Sequence, residues 1–180
     1  MKTAANLVLV GPMGAGKTVV GSRLAGRLGL AFIDLDAAIR DAEGKSIPEL
    51  FATQGEAAFR ELERSALAAT LANRNQVVAT GGGAVLDAGN RDLMRCRGFV
   101  AWLQVDVDQQ LRRLADVDDR PLLQVADRRE RMRGLAIRRD RLYAEVADLA
   151  LRTDDDTPDQ VAATLERLLP LHWQHEDTTA

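Results

Sequence analysis

Apolar residues occur in short runs along the chain, and five of these runs have the length of a β-strand. The runs at 7–10, 76–80 and 99–103 are almost continuously apolar, which is typical of parallel strands that are buried on both faces. The segments at 32–33 and 149–151 are shorter and continue into polar residues. We therefore predict a central sheet of five parallel strands.

Helical patterns separate the predicted strands. Residues 17–28 carry apolar side chains at helical spacing up to Gly29, and residues 56–71 carry an apolar stripe. Sequences typical of capping boxes, at 46–49 and 157–160, predict two more helix starts. Alternating strands and helices predict a three-layer α/β/α fold, with ligands at the carboxyl ends of the strands.

The chain shows no internal repeat and no segment with the composition of a linker. We therefore predict a single domain over residues 1–170. The polar residues 171–180 follow the last helical pattern, and we expect them to form a mobile tail.

Composition narrows the classes of protein. The chain has 180 residues, of which 46% are hydrophobic, with a formal net charge of −3 and one cysteine. A single cysteine excludes an internal disulfide framework, and no apolar run reaches membrane-spanning length, so we expect a cytoplasmic protein without a membrane partner. Both histidines, His172 and His175, lie in the last nine residues. This position argues against a catalytic triad or a histidine-ligated metal.

Residues 11–18 read G-P-M-G-A-G-K-T and match the phosphate-binding pattern G-x-x-x-x-G-K-[ST]. An apolar strand precedes this P-loop and an amphipathic helix follows it, as phosphate binding requires. We expect Lys17 to reach the β- and γ-phosphates of a nucleotide and Thr18 to ligate Mg²⁺. The backbone expected to surround the phosphates comprises Gly14, Ala15, Gly16, Lys17, Thr18 and Val19.

Two aspartates follow the second predicted strand. The third strand runs into three glycines without a carboxylate, so Asp34 and Asp36 are the candidates for a second magnesium ligand and for an acceptor contact. In an extended segment their side chains share one face, and both would point toward the P-loop. Asp36 alone could instead be the N-cap of a helix that begins at Ala37.

Basic residues are unevenly distributed. Of the 24 basic residues, 21 are arginine, and residues 120–141 contain eight arginines against three acidic residues. A solvated helix with ion pairs would explain such a run. The negative net charge, the scarcity of lysine and the lack of interleaved aromatic residues argue against a nucleic-acid partner.

The motifs taken together resemble the shikimate kinase family. Beyond the P-loop they are D-L-D at 34–36, F-R-E-L-E at 59–63, G-G-G at 81–83, R-P-L-L at 120–123 and R-R-D-R-L-Y at 138–143. They follow one another in the family's order between residues 7 and 168. The resemblance implies transfer of the γ-phosphoryl group of ATP to the 3-hydroxyl of shikimate, with Mg²⁺, in the route to aromatic amino acids, by an enzyme that we expect to be monomeric.

The resemblance also implies roles for single residues. Asp36 would hold the hydroxyls of shikimate and act as the base, and Asp34 would serve the magnesium ion, often through water. Arg60 and Arg139 would bind the shikimate carboxylate, and Gly82 would contribute backbone contacts. The remaining implied parts are Arg120 on a lid over the ATP phosphates (about 112–125) and acceptor-binding helices (about 34–62).

Several alternatives remain open at this point. Arg60 could pair with Glu56 on its own helix, and Arg138 or Arg141 could take the role of Arg139. The acceptor could be gluconate or a nucleoside monophosphate, and a module that binds nucleotide without catalysis is a further alternative. The chain also departs from the family, with Val19 where many members have a second hydroxyl residue and aspartates at 154–156 where some have a basic or amide residue near adenine.

Overall fold

The central sheet of the computed structural model, which describes residues 1–115 and 127–176, has five parallel strands. In chain order the strands are Lys2–Ala4 (β1), Asn6–Val10 (β2), Ala31–Asp34 (β3), Gln76–Ala79 (β4), Gly98–Gln104 (β5), Leu149–Arg152 (β6) and Trp173–His175 (β7). The order in the central sheet is β3-β4-β2-β5-β6, with the P-loop strand in the middle. The predicted five-stranded parallel sheet is confirmed.

Helices cover both faces of the sheet, which confirms the three-layer fold. A short 3₁₀ turn at Ala84–Leu86 follows the three glycines. The helices are Lys17–Leu28 (α1), Leu35–Glu43 (α2), Ile47–Leu71 (α3), Ala88–Arg97 (α4), Val107–Arg113 (α5), Arg128–Val146 (α6) and Pro158–His172 (α7).

Alternating side chains of β2 supply the two halves of the core. Leu7 and Leu9 pack with residues of α1 and α7, whereas Val8 and Val10 pack with residues of α2, α3, α4 and α6. All four side chains are fully buried. The apolar run at residues 7–10 is therefore the direct consequence of a sheet that is covered on both faces.

The predicted helix starts are confirmed at both capping boxes. Ser46 and Glu49 cap α3 reciprocally, and Thr157 and Gln160 do the same for α7. The backbone leaves helical geometry at Gly55, with φ 82° and ψ 171°, and divides α3 into two helical segments. The second segment agrees with the apolar stripe predicted over residues 56–71.

The predicted mobile tail from residue 171 is wrong for the residues that the structure describes. Trp173–His175 forms β7, which pairs in parallel with β1 as a separate two-stranded sheet. The Trp173 indole is buried, stacks on Phe99 with ring centroids 6.0 Å apart and donates a hydrogen bond to the Ala4 carbonyl. Apolar burial of this one side chain explains why the segment is ordered.

Part of the predicted lid lies outside the described residues. Helix α5 and residues 114–115 cover the start of the segment 112–125, and Arg120 belongs to the part that is not described. Among the described helices, none combines the length and the apolar composition that crossing a membrane requires.

Candidate functional site

The P-loop connects β2 to α1 at the carboxyl edge of the sheet. Lys17 is the first residue of α1, and its ammonium donates to the carbonyls of Gly11 and Pro12 at 2.7 and 2.8 Å. Only 9% of Lys17 is exposed. The lysine side chain therefore folds back over the loop, where its charge faces the space enclosed by the backbone.

Gly16 turns the chain from the loop into the helix. Its φ of 89° is a conformation that residues with a Cβ rarely adopt, and it occupies the N-cap position of α1 without a capping side chain. The first N–H groups of α1 are thus left for a ligand, and the partial positive charge of the helix end favours an anion. This geometry agrees with the predicted phosphate site.

A second open space adjoins the outer side of the P-loop. Its volume is about 620 Å³ when its solvent-open mouth is included, and its walls combine Ala15, Gly16 and Val19 with Pro158 and the aspartates at 154–156. The Asp154 carboxylate already has a hydrogen-bond partner, since it accepts from the Asp106 N–H at 2.6 Å. This space continues from the phosphate site and is where the base and sugar of a nucleotide would lie.

Sequence reasoning missed the residue that joins this space to the P-loop. Arg113, at the end of α5, donates to the Gly14 carbonyl at 3.0 Å, to the Thr153 hydroxyl and carbonyl, and to the Asp154 carbonyl at 3.2 Å. Its position beside Arg112 in an amphipathic helix resembles that of a surface arginine. No pattern in the sequence distinguishes it.

Thr18 and Asp34 meet beside the phosphate site. The Thr18 hydroxyl donates to Asp34 Oδ2 at 2.6 Å, and Asp34 Oδ1 accepts from the Ala37 N–H at 3.0 Å. A hydroxyl and a carboxylate are the hard oxygen donors that Mg²⁺ prefers, and this ion usually keeps several water ligands. In the described ranges no cluster of three acidic, histidine or cysteine side chains could hold a metal alone.

The two aspartates of the D-L-D motif differ in backbone setting. Helix α2 begins at Leu35, so Asp34 is its N-cap and Asp36 lies in its first turn. The expected extended segment through both residues, and the alternative in which Asp36 is the cap, are therefore wrong. The carboxylate of the N-cap Asp34 satisfies an exposed backbone donor, whereas Asp36, two positions further along, faces the triple glycine.

Asp36 lies in an open cleft beside the P-loop, whose volume is about 490 Å³ when its solvent-open mouth is included. A Cβ on Gly81 would lie 3.0 Å from Asp36 Oδ1 and 2.6 Å from Glu63 Oε1, so any larger residue there would displace these two carboxylates. The cleft therefore presents two carboxylates, two guanidinium groups and glycine backbone to a small polar molecule. Its walls comprise Met13, Asp36, Ile47, Phe51, Phe59, Arg60, Glu63, Gly81, Gly82, Gly83 and Arg139.

Arg60 reaches the cleft from α3. Its guanidinium pairs with Glu63 at 2.7 Å and with Glu56 at 3.1 Å, so the pair with Glu56 that the sequence left open does form. Burial disfavours the charge of Arg60, but the two glutamates outweigh that effect and raise its pKa above the ordinary value. The arginine is thus held in place, permanently charged, at the cleft wall.

Glu63 is a cleft residue that sequence reasoning missed. Only 1% of its side chain is exposed, and among the described residues no group donates a hydrogen bond to its Oε1. Burial raises the pKa of Glu63, and the charge of Arg60 offsets this effect only in part. A glutamate three residues after an arginine is typical of a surface ion pair, so its burial was not predictable from the motif.

Replacing Glu63 by glutamine tests this buried charge. As pH rises from the ordinary pKa of 4.5 through the raised folded-state pKa, the unfolded chain ionises first and stability is lost. We expect the melting temperature of the wild type, relative to Glu63→Gln, to fall over that window. About 1 kcal/mol shifts the melting temperature by roughly 2–4 °C for a chain of this size.

Thermal unfolding of both proteins between about pH 4 and pH 8 measures the difference. Glu61→Gln, which removes the same charge from the exposed side of α3, is the control. A melting temperature of the wild type that rises with pH relative to that of Glu63→Gln would contradict the assignment.

Arg139 enters the cleft from α6. It is 5% exposed, whereas Arg138 and Arg141 are exposed to solvent, so Arg139 is the arginine of this stretch that lines the cleft. Its guanidinium donates to the Gly82 carbonyl at 3.1 Å. Burial lowers the pKa of Arg139, although a guanidinium stays charged at neutral pH.

The structure thus brings most of the predicted site residues together at the carboxyl edge of the sheet. The P-loop and Thr18–Asp34 form one part, and the cleft with Asp36, Arg60 and Arg139 forms the adjacent part. Arg120 lies outside the described residues.

Comparison with known proteins gives concordant matches. The family model described as shikimate kinase matches residues 13–169. A shikimate kinase from Stenotrophomonas maltophilia (strain K279a) is 54% identical over 179 residues, covering 99% of both chains. A shikimate kinase from Xanthomonas campestris pv. campestris (strain 8004) is 51% identical over 180 residues, covering 100% of both.

Solved structures agree with the sequence matches. The shikimate kinase from Acinetobacter baumannii in complex with shikimate superimposes with a TM-score of 0.91 at 40% identity, over 93% of this chain and 94% of that one. The shikimate kinase from Aquifex aeolicus gives a TM-score of 0.80 at 32% identity, over 92% and 96% of the two chains. The chain, matched over nearly its whole length in sequence and over more than nine-tenths of it in structure, belongs to the shikimate kinase family.

Proposed function

We propose that the protein transfers the γ-phosphoryl group of ATP to the 3-hydroxyl of shikimate, giving shikimate 3-phosphate and ADP. The observation that carries the proposal is the cleft beside the P-loop, where Arg60 and Arg139 accompany Asp36. A polyhydroxy acid of small size offers one carboxylate and several hydroxyls to such a set. The related Acinetobacter baumannii enzyme was solved in complex with shikimate.

The two arginines are suited to hold the carboxylate. A planar guanidinium can donate two parallel hydrogen bonds to a carboxylate, which fixes orientation as well as position. With the carboxylate at Arg60 and Arg139, and with Gly82 contributing backbone contacts, the ring would direct its hydroxyls toward Asp36. The Asp36 carboxylate then accepts the proton of the 3-hydroxyl while the oxygen of that hydroxyl attacks the γ-phosphorus of ATP.

The nucleotide half of the site follows from the P-loop. Backbone N–H groups from Gly14 to Val19 surround the phosphates, and Lys17 neutralises charge on the transferred group. Arg120 would add a further positive charge when the lid closes. Lid closure would also exclude water, which otherwise competes as the phosphoryl acceptor.

Magnesium fits the residues beside the P-loop. The Thr18 hydroxyl and the Asp34 carboxylate are in hydrogen-bond contact at 2.6 Å, and both are oxygen donors. When bound, Mg²⁺ neutralises charge on the nucleotide phosphates. Thr18 would contact the ion directly, and Asp34, which also caps α2, would do so through water.

We infer further that the enzyme acts in the cytoplasm as a monomer. One chain supplies residues for both the nucleotide and the acid in the proposed site. A single cysteine, Cys96, agrees with a reducing compartment.

A coupled assay that follows ADP release tests the function. The purified protein with Mg-ATP is offered shikimate, gluconate and nucleoside monophosphates in parallel. We expect turnover with shikimate alone. Turnover with gluconate or a nucleotide, but not with shikimate, would overturn the proposal, as would ATP binding without any phosphorylated product.

Replacing Arg60 by lysine tests its role in carboxylate binding. An ammonium cannot make the two parallel hydrogen bonds, so we expect KM for shikimate to rise about tenfold, with kcat and KM for ATP changed less than about threefold. Arg64→Lys, an exposed arginine on the same helix, is the matched control. A rise confined to KM for ATP would assign Arg60 to the nucleotide site.

A further inference from the structure

The Gly82 carbonyl accepts two hydrogen bonds from α6. The phenol of Tyr143 donates at 2.5 Å, and Arg139 donates at 3.1 Å to the same oxygen. Tyr143 is 1% exposed and lies one helical turn after Arg139. The Gly82 carbonyl is therefore shared by two donors: Arg139, which is proposed to bind the carboxylate, and the phenol of Tyr143.

The surroundings of Tyr143 keep its hydroxyl a donor. Burial raises its pKa, so the phenol stays protonated throughout the physiological range. Its ring packs against Trp102 of β5, with centroids 5.7 Å apart, and this contact limits movement of the side chain. The hydroxyl is held at the Gly82 carbonyl by packing on the sheet.

We propose that Tyr143 is a positioning residue for the acid substrate, which holds the Gly82 carbonyl so that Arg139 presents its guanidinium to the carboxylate. The inference rests on the proposed function, since it assumes an acid in the cleft. Tyr143 itself is not among the residues that line the cleft.

The physical reason for this role is that the Gly82 carbonyl and the substrate carboxylate compete for the guanidinium of Arg139. The Gly82 carbonyl is partly buried at the end of the cleft, and leaving such a group without a donor costs stability. With the phenol present, the carbonyl keeps a strong partner when a carboxylate attracts Arg139. Without the phenol, Arg139 is the remaining side-chain donor that the described residues give to this carbonyl, and the substrate must displace that contact.

The Tyr143→Phe variant removes one oxygen atom and keeps the ring that packs on Trp102. We expect Kd and KM for shikimate to rise roughly five- to tenfold, as for loss of a hydrogen bond that helps to hold a charged group. KM for ATP should stay within about twofold of the wild type, and kcat should change less than KM for the acid. Calorimetric titration with shikimate measures Kd, and the coupled assay measures the rest.

Thr80→Val is the matched control. The Thr80 hydroxyl is buried, donates to the Leu9 carbonyl at 3.0 Å and directly precedes the glycine run. Its loss should lower the melting temperature without the selective rise in Kd for shikimate. An equal rise in the two variants would reduce Tyr143 to a structural role and overturn the inference.

A double-mutant cycle with Arg139→Lys gives an independent readout. If Tyr143 acts through Arg139, Tyr143→Phe should raise Kd for shikimate less in the Arg139→Lys background than in the wild type. Multiplicative effects, or an unchanged Kd in Tyr143→Phe, would overturn the inference while leaving the proposed function intact. A wild type that does not phosphorylate shikimate would instead overturn the proposed function.

Discussion

Asp36→Asn should lower kcat about 10³-fold and leave the affinity for ATP within about twofold of the wild type. General-base catalysis contributes typically 10²–10⁴-fold, and an amide cannot accept the proton of the attacking hydroxyl. The loss should be confined to the acid half of the site because Asp36 faces Gly81 across the cleft, whereas Asp34 is the aspartate bonded to Thr18. Steady-state kinetics and calorimetric titration with a non-hydrolysable ATP analogue measure the two effects.

Asp41→Asn provides the control for this prediction. Asp41 is an exposed aspartate on the same helix, α2, so its replacement removes the same charge at a distance from the cleft. Its kcat should match that of the wild type. A rise in KM for shikimate with unchanged kcat in Asp36→Asn would restrict Asp36 to substrate binding, and the proton acceptor would have to be sought elsewhere.

The parts of this site that were predictable depend on local sequence. The P-loop consists of eight consecutive residues, and its geometry follows from glycine conformation and a helix end, so pattern and structure agree. The buried strands likewise need apolar side chains toward both layers of helices, as residues 7–10 of β2 show. Fold class and phosphate site could therefore be derived before any tertiary contact was known.

The errors concern features set by contacts between distant segments. Strands β1 and β7 have three residues each, too few to show a period, and their register joins Lys2 to Trp173. Glu63 has the spacing of a surface ion pair, and its burial depends on the close approach of Gly81. The roles of Asp34 and Asp36 were harder to separate, because a helix that starts two residues earlier has Asp34 rather than Asp36 as its N-cap.

The different tasks proposed for Asp34 and Asp36 follow from that helix start. As the N-cap, Asp34 has one oxygen committed to the Ala37 N–H and the other to Thr18. A carboxylate held in this way is suited to orient a metal-bound water, but not to move with a substrate. Asp36, in the first turn, is the carboxylate of the pair that faces the cleft. Separate tasks for adjacent carboxylates thus require only the change from strand to helix between them.

Lys17→Met should reduce kcat/KM about 10²–10³-fold. A preorganised donor that meets charge developing in the transition state is worth this much when it is removed, and methionine keeps the length of the side chain without its charge. Lys17 Nζ also donates to two carbonyls of its own loop, at 2.7 and 2.8 Å from Gly11 and Pro12. Part of the loss should therefore appear as weaker ATP binding, which calorimetric titration measures alongside the kinetics.

Lys17→Arg separates charge from shape at the same position. The chain uses arginine for 21 of its 24 basic residues, so a lysine in the P-loop stands out against that preference. A guanidinium is planar and wider than an ammonium, and it cannot fit between the Gly11 and Pro12 carbonyls with the same contacts. We expect Lys17→Arg to lose at least about tenfold in kcat/KM, whereas Lys45→Arg, at an exposed lysine, should match the wild type. Full activity of Lys17→Arg would mean that the loop needs only a positive charge, and the two short contacts would then have no part in catalysis.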